Sequence, residues 1–206
     1  MSIMMIGLTS FFVALSGALV PGPLFTITVA ESAKRGFISG PLIILGHAIL
    51  ELTLIALLLI GLSPFFKRQG VIIAISLLGG AMLVIMGAMM IRDARHARIS
   101  VELEGEGSGM HPVIAGIVGS ISNPYWTIWW ATIGLGYLVS AIKLGILGIV
   151  VFFIGHITAD LVWYSLISFT VAKGKKFMGD KGYRILLYIC GIFLVVFGIW
   201  FISGAT

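Results

Sequence analysis

Charged residues are scarce in this chain: Asp, Glu, Lys and Arg make up 10% of its 206 residues, whereas a soluble domain carries roughly 25%. Hydrophobic residues make up 59%, and the mean hydropathy is +1.15. Apolar runs of about 20 residues recur, which is the length that a helix needs to cross a hydrocarbon core. The shortage of charge therefore excludes an ordinary soluble domain and predicts a protein built from membrane-spanning helices.

Several other features are missing. Cys190 is the only cysteine, so an intrachain disulfide framework is excluded. Residues 1–8 contain no Lys or Arg, so the basic start of a signal peptide is lacking and the first apolar run is predicted to be retained as a span. No nucleophile elbow, phosphate loop or dinucleotide fingerprint is present, and the spacing excludes His-Glu-x-x-His. We therefore expect neither an enzyme nor a cofactor.

The apolar runs predict an all-α fold of the polytopic membrane class. Six transmembrane helices are expected at roughly 4–30, 37–62, 70–91, 113–138, 144–171 and 184–203. The connection 92–111 is the only long one, and it contains Glu102, Glu104 and Glu106 and glycines 105, 107 and 109. That composition is typical of a flexible linker.

The basic residues are divided unevenly between the two sides of the predicted membrane. Ten lie in the first, third and fifth connections, namely Lys34, Arg35, Arg92, Arg95, Arg98, Lys173, Lys175, Lys176, Lys181 and Arg184. Three lie in the second and fourth, namely Lys67, Arg68 and Lys143. Cytoplasmic loops are enriched in Lys and Arg, so the linker is predicted inside and both termini outside. This role accounts for the net charge of +5, and no nucleic-acid partner is predicted.

Three short patterns occur in the same order in each half of the chain. Pro23-Leu-Phe-Thr-Ile27 matches Pro124-Tyr-Trp-Thr-Ile128, and Gly46-His47-x-x-x-Glu51 matches Gly155-His156-x-x-x-Asp160. The third match pairs Gly80, Leu83, Val84 and Gly87 with Gly191, Leu194, Val195 and Gly198. Three spans per repeat is an odd number, so the second half must be inverted, as in many secondary transporters. The predicted units are residues 1–91, the linker 92–111 and residues 112–206.

Glycines and prolines interrupt the first and fourth predicted spans. The breaks are Pro21-Gly22-Pro23 and Asn123-Pro124. Inside a membrane, irregular backbone is tolerated where it faces protein or a water-filled cavity. Paired breaks at corresponding positions indicate a transporter's substrate site, although packing kinks are the structural alternative. The predicted substrate-binding residues are those of the two breaks together with Trp126. Glycines 36, 40, 80, 87, 145, 148, 191 and 198 are expected to allow close approach of helices.

Two acidic residues are predicted to lie deep in hydrocarbon, and each follows a histidine by four positions. The pairs are His47 with Glu51 and His156 with Asp160. Positions four apart share a helix face, and an ionisable group at this depth is by default a functional candidate. Proton or cation coupling is the first hypothesis for all four residues. The alternatives are a helix-packing hydrogen bond and a metal site, because two such helices offer four ligands.

The motifs around the breaks carry a resemblance to a known family. The opening, from Ser16 through Pro23 and then Glu31, Lys34, Arg35, Gly36 and Gly40, resembles that of the LysE superfamily of amino-acid exporters. Ser122-Asn123-Pro124 and Ala159-Asp160-Leu161-Val162-Trp163 are similar to its second half. The likeness covers nearly all of the chain. The two histidines, Glu51 and the cluster Trp126, Trp129 and Trp130 depart from the family pattern.

The resemblance implies a multi-pass plasma-membrane protein that exports small amino acids or related amines, with protons as the exchanged ion. A divalent-cation exporter on the same scaffold is the first alternative, and an intramembrane metal-dependent enzyme is the second. The expected partners are the small-molecule substrate, protons and the lipid bilayer. A homodimer is compatible with a six-span protein of this size, but no motif demonstrates one.

Overall fold

The computed structural model describes residues 2–19, 22–62, 69–95, 110–174 and 179–204. Within these ranges every regular element is a helix. The helices are α1 (Ile3–Ala18), α2 (Pro23–Arg35), α3 (Ser39–Leu57), α4 (Gln69–Ala94), α5 (Pro112–Ile121), α6 (Pro124–Trp129), α7 (Leu135–Ile142), α8 (Gly145–Gly174) and α9 (Gly179–Gly204). Two π-helical turns, Leu58–Leu62 after α3 and Trp130–Gly134 between α6 and α7, complete the set.

Among the residues that the structure describes, three stretches are long and apolar enough to span a membrane: Ser39–Gly61, α8 and α9. They confirm the helical membrane class and coincide with the second, fifth and sixth predicted spans. Helix α4 covers the third with 26 residues, about 39 Å at 1.5 Å per residue. Shorter apolar helices make up the remaining two, so the count of six stays a prediction.

The first and fourth predicted spans are not continuous helices. The first divides into α1 and α2, and the fourth divides into α5, α6 and α7 around a π-helical turn. Both breaks end at a proline that occupies the first turn of the next helix. The residue before each proline is extended, with φ −150° at Gly22 and φ −97° at Asn123. A proline disfavours helical backbone in the residue that precedes it, so the sequence itself ends each helix there.

The helices pack in three main pairs, α4 with α9, α1 with α8, and α3 with α5. Glycines make the close approaches. A Cβ on Gly87 would meet the Gly191 carbonyl oxygen, and one on Gly46 would overlap the Val113 carbonyl. Such small-residue seams let helix backbones touch in a membrane. The prediction is confirmed for Gly80, Gly87, Gly191 and Gly198, and for Gly40 and Gly148.

Two of the predicted packing glycines have another role. Gly36 ends α2 with φ 84°, Gly145 begins α8 with φ 71°, and a Cβ at either would touch nothing within 4 Å. The prediction was wrong there, because these positions need left-handed backbone at a turn and not space for a neighbouring helix.

Some predictions concern residues outside the described ranges. These are Pro21, most of the linker (96–109), and the basic residues Lys67, Arg68, Arg98, Lys175 and Lys176. At the edge of the linker, an Arg35 guanidinium nitrogen lies 3.5 Å from the Met110 carbonyl oxygen. The turn after α2 and the end of the linker therefore lie at the same end of the molecule, as the charge pattern requires.

Candidate functional site

The Glu51 carboxylate lies at the centre of a buried polar cluster. Its side chain is 1% exposed. The indole N–H groups of Trp126 and Trp130 both donate to Glu51 Oε1, at 3.0 and 2.8 Å. Trp130 begins the π-helical turn, and Gly134 leaves room for its ring, since a Cβ there would clash with it. The irregular turn thus aims an indole at the carboxylate.

His47, one helical turn before Glu51 on α3, contacts the same carboxylate. Its Nε2 lies 3.1 Å from Glu51 Oε1. Its Nδ1 lies 2.7 Å from Ser120 Oγ, and that hydroxyl is 2.7 Å from the Gly116 carbonyl oxygen. Ser120 and Gly116 belong to α5, so the close α3–α5 seam at Gly46 also fixes the orientation of this imidazole.

His156 reaches the cluster from α8, in the other half of the chain. Its Nε2 lies 3.0 Å from Glu51 Oε2 and 3.2 Å from Oε1. The ring packs against Trp129, Trp130 and Phe152, with centroid distances of 4.9, 5.8 and 6.1 Å. Its Nδ1 is buried and has no hydrogen-bond partner among the described residues.

Asp160 completes the cluster, which we call the tetrad: His47, Glu51, His156 and Asp160. Its Oδ2 lies 3.7 Å from His47 Nε2 and 3.5 Å from His156 Nε2. This oxygen is buried and has no hydrogen-bond partner in the described part of the chain. Glu51 Oε2 has none by geometry either, although the ion-pair contact with His156 Nε2 is 3.0 Å long. One nitrogen or oxygen from each tetrad residue can be chosen so that all four lie within 4.8 Å of one another.

Burying these groups is costly unless each has a partner. Removing one member of a buried ion pair leaves an uncompensated charge and typically costs about 3–5 kcal/mol. The tetrad spreads that compensation over four residues on two helices, and two indoles add donors from a third segment. The arrangement can hold a proton or another small cation between the imidazoles and the carboxylates.

A cavity of about 300 Å³ opens beside the tetrad. Both helix breaks reach it, through Gly22 and Leu24 on one side and Asn123 and Tyr125 on the other. Part of its wall is aromatic, formed by Tyr125, Trp126, Trp129, Tyr164, Phe197 and Trp200. Of the described residues that line it, none is Lys or Arg.

The sequence-predicted site residues fall into three groups. All four tetrad residues line this one cavity, together with Gly22, Asn123 and Trp126. Pro23 is not among the described lining residues, because it is buried in the first turn of α2. Pro124 begins α6, and Pro21 lies outside the described residues. Their contribution is to shape the breaks.

Sequence reasoning missed two polar partners of the tetrad. Trp130 was noted only as part of a tryptophan cluster, yet its hydrogen bond to Glu51 Oε1, at 2.8 Å, is shorter than that of Trp126. Ser120 carried no signal, because a serine three residues before a predicted break is unremarkable in sequence. Its contact with His47 joins residues 73 positions apart.

A model of the family described as LysE type translocator matches residues 15–204. The match includes both helix breaks, the whole tetrad and the linker. No curated protein and no solved structure matches the chain.

Proposed function

We propose, because this chain belongs to the LysE type translocator family, that it exports small amino acids or related amines across the plasma membrane in exchange for protons. Membership makes it a membrane transport protein of a family of transporters, not of enzymes. The observation that carries the proposal is the tetrad, which lies in a cavity reached by two broken helices. Family membership does not specify the substrate class, the coupling ion or the membrane, and these are proposed here.

The cavity offers complementary surfaces to a zwitterion. Helices α2 and α6 begin at its edge, and a helix N-terminus favours a carboxylate through its free amides and the helix dipole. The Asn123 side chain already accepts from the Tyr125 N–H at the start of α6, so α2 is the better candidate. Gly22 provides no side-chain cap for α2, so a substrate carboxylate has no competitor from that residue. The Glu51 and Asp160 carboxylates are the matching acceptors for an ammonium group, and the aromatic wall suits apolar side chains.

Proton exchange follows from the limited charge that the tetrad can hold. Two carboxylates and two imidazoles in a buried space cannot accept both a substrate ammonium and a full set of protons, because excess buried charge is costly. Entry of one therefore favours release of the other. Histidine is suited to this exchange because its charge changes near neutral pH.

We propose six spans arranged as two inverted repeats, with both termini outside. The packing supports this arrangement. Helix α1 of the first half packs on α8 of the second, and α5 of the second half packs on α3 of the first. Glycines lie at both of these helix crossings. Gly155 of α8 approaches the Gly7 carbonyl of α1, and Gly46 and Gly116 lie where α3 crosses α5. Alternating access would move one repeat against the other across the tetrad.

The first test is solute flux in proteoliposomes that contain the purified protein. A panel of labelled amino acids and amines is assayed with and without an imposed pH gradient, with a metal chelator present throughout. We expect at least one zwitterionic or cationic solute to accumulate only when a gradient is imposed. The Glu51→Gln/Asp160→Asn double variant, reconstituted to the same density, should lose this accumulation.

Two results would contradict the proposal. Gradient-driven flux that survives in the double variant would leave the two carboxylates as helix-packing groups. Flux of a divalent cation, with none of any amino acid or amine, would favour the divalent-cation exporter. The intramembrane enzyme alternative has no support from the family.

A further inference from the structure

The hydrogen bonds around His47 fix which of its ring nitrogens carries a proton. The Gly116 carbonyl has no hydrogen to donate, so the Ser120 hydroxyl must donate to it across their 2.7 Å contact. The same hydroxyl is 2.7 Å from His47 Nδ1 and has no second proton. It must therefore accept from Nδ1–H. In neutral His47 the lone pair is then on Nε2, the atom that faces the tetrad.

A lone pair in that position has only acceptors in front of it. His47 Nε2 lies 3.1 Å from Glu51 Oε1 and 3.7 Å from Asp160 Oδ2. Acceptors at such distances repel unless a cation lies between them. A proton on Nε2 meets that need, and so does a metal ion. Nδ1–H bonded to a second acceptor is also the arrangement that orients metal-binding histidines.

The spacing of the four ligand atoms fits a small tetrahedral metal ion. Zinc bonds of about 2.0–2.1 Å place neighbouring ligand atoms about 3.4 Å apart. His47 Nε2 lies 3.1 Å from Glu51 Oε1 and 3.7 Å from Asp160 Oδ2, and His156 Nε2 lies 3.0 Å from Glu51 Oε2 and 3.5 Å from Asp160 Oδ2. One atom of each residue can be chosen so that all four lie within 4.8 Å of one another, and small side-chain shifts would bring them onto one ion. Glu51 Oε2 and Asp160 Oδ2 accept no hydrogen bond from the described residues. Each carboxylate thus has an oxygen ready to bind a cation.

We propose that the tetrad binds a divalent transition-metal ion of the zinc type, with two imidazole nitrogens and two carboxylate oxygens as ligands. Imidazole suits zinc and its neighbours in the first transition row, whereas magnesium and calcium prefer oxygen ligands alone. Ser120, Trp126 and Trp130 are the positioning residues that orient His47 and Glu51. The bound ion occupies the groups that take the ammonium and the proton, so it blocks export. This inhibition rests on the proposed function, whereas metal binding does not.

Binding is tested on the purified, detergent-solubilised full chain after treatment with a chelator. Zinc chloride alone is titrated, and bound zinc is counted by elemental analysis after desalting. We expect one zinc per chain. Cobalt(II) serves as the spectroscopic probe, and tetrahedral ligation by nitrogen and oxygen should give intense visible bands with no thiolate charge-transfer band.

Variants distinguish residues that bind the metal ion from residues that do not. His156→Gln should lose stoichiometric zinc, and Ser120→Ala should weaken binding about 10–100-fold, which is the usual effect of removing a group that orients a ligand. His111→Gln is the matched control, because His111 is exposed at the start of α5 and should leave binding unchanged. Gel filtration and thermal melting establish that each variant is folded.

The inference is overturned if the folded wild-type chain retains no zinc, if His156→Gln retains it fully, or if His111→Gln alone abolishes it. Inhibition is measured separately, as loss of solute flux on adding zinc and its recovery with chelator. Absent flux in chelator-containing buffer counts against the proposed function and leaves the binding result standing. Normal flux with no bound zinc removes the metal site alone.

Discussion

Two imidazoles and two indoles contact the buried Glu51 carboxylate. The indoles differ from the imidazoles because they donate without becoming charged. A neutral indole N–H satisfies a carboxylate without adding a competing charge. A hydrogen bond to a charged group contributes about 1.5–3 kcal/mol, more than a neutral pair does. Trp130 supplies such a bond at 2.8 Å.

This predicts a stability difference between two tryptophans. Trp130→Phe should destabilise the protein by about 1.5–3 kcal/mol more than Trp163→Phe, because only the first substitution removes a hydrogen bond to a carboxylate. Trp163 is the matched control, since its buried indole nitrogen has no acceptor among the described residues. Denaturant-induced unfolding in detergent measures the difference. Equal losses would mean that the Trp130 contact to Glu51 contributes nothing net.

The sequence predicted that each histidine shares a helix face with the carboxylate four residues later. It could not predict that the two histidine–carboxylate pairs contact each other. A separation of four residues places His47 beside Glu51 on any helix. That His156 Nε2 then lies 3.0 Å from the Glu51 carboxylate depends on how closely α3 and α8 approach, and helical periodicity says nothing about that distance. Ser120 was missed for the same reason, because its partner is 73 positions away.

At the scale of the helices, the two prolines act on the residues that precede them. Each lies in the first turn of its helix, where the missing N–H removes no hydrogen bond. The breaks therefore do not arise from a hydrogen bond lost inside a continuous helix. What each proline does is hold Gly22 or Asn123 out of helical conformation.

Removing that constraint should close the breaks. Pro23→Ala and Pro124→Ala should each leave folding intact while solute flux falls, because helical backbone can then extend towards the cavity. Pro112→Ala is the control: it changes a proline at the same helical position of α5, away from the cavity. Flux in proteoliposomes, normalised to folded protein, is the measurement. Equal flux in all three variants would show that the prolines do not hold the site open.

The α3–α5 seam gives a second prediction at this scale. Gly46→Ala should destabilise the protein by about 1–3 kcal/mol, because its Cβ would overlap the Val113 carbonyl and force the helices apart. Gly136→Ala meets nothing within 4 Å and should be neutral or slightly stabilising, since alanine favours helix over glycine. Thermal melting of the two variants makes the comparison. A Gly46→Ala protein as stable as Gly136→Ala would rule out tight backbone packing at this crossing.

At the scale of the whole molecule, composition and charge predicted more than local patterns did. The apolar runs located the long helices, and the distribution of Lys and Arg predicted an orientation. The breaks in the first and fourth spans were predicted from their glycines and prolines, and the structure has them at Gly22 and Asn123. The second irregularity of the fourth span, the π-helical turn at Trp130–Gly134, was not predicted, because no proline marks it.

The orientation can be tested by labelling. Single cysteines at Ser2 and Ser108, in a Cys190→Ala background, are exposed to an impermeant thiol reagent on intact cells. The excess of Lys and Arg on one side predicts that Ser2→Cys labels and Ser108→Cys does not until the cells are lysed. The reverse pattern would invert the molecule in the membrane, and with it the direction in which the breaks face.

The shortest contact between α3 and α8 at the tetrad, His156 to Glu51, joins residues 105 positions apart. Each half of the chain therefore owns one imidazole and one carboxylate, and neither owns a site. A gene cut within the linker would encode two fragments that are inert alone and complement each other only as a pair. We expect the two fragments to restore solute flux only when they are produced together.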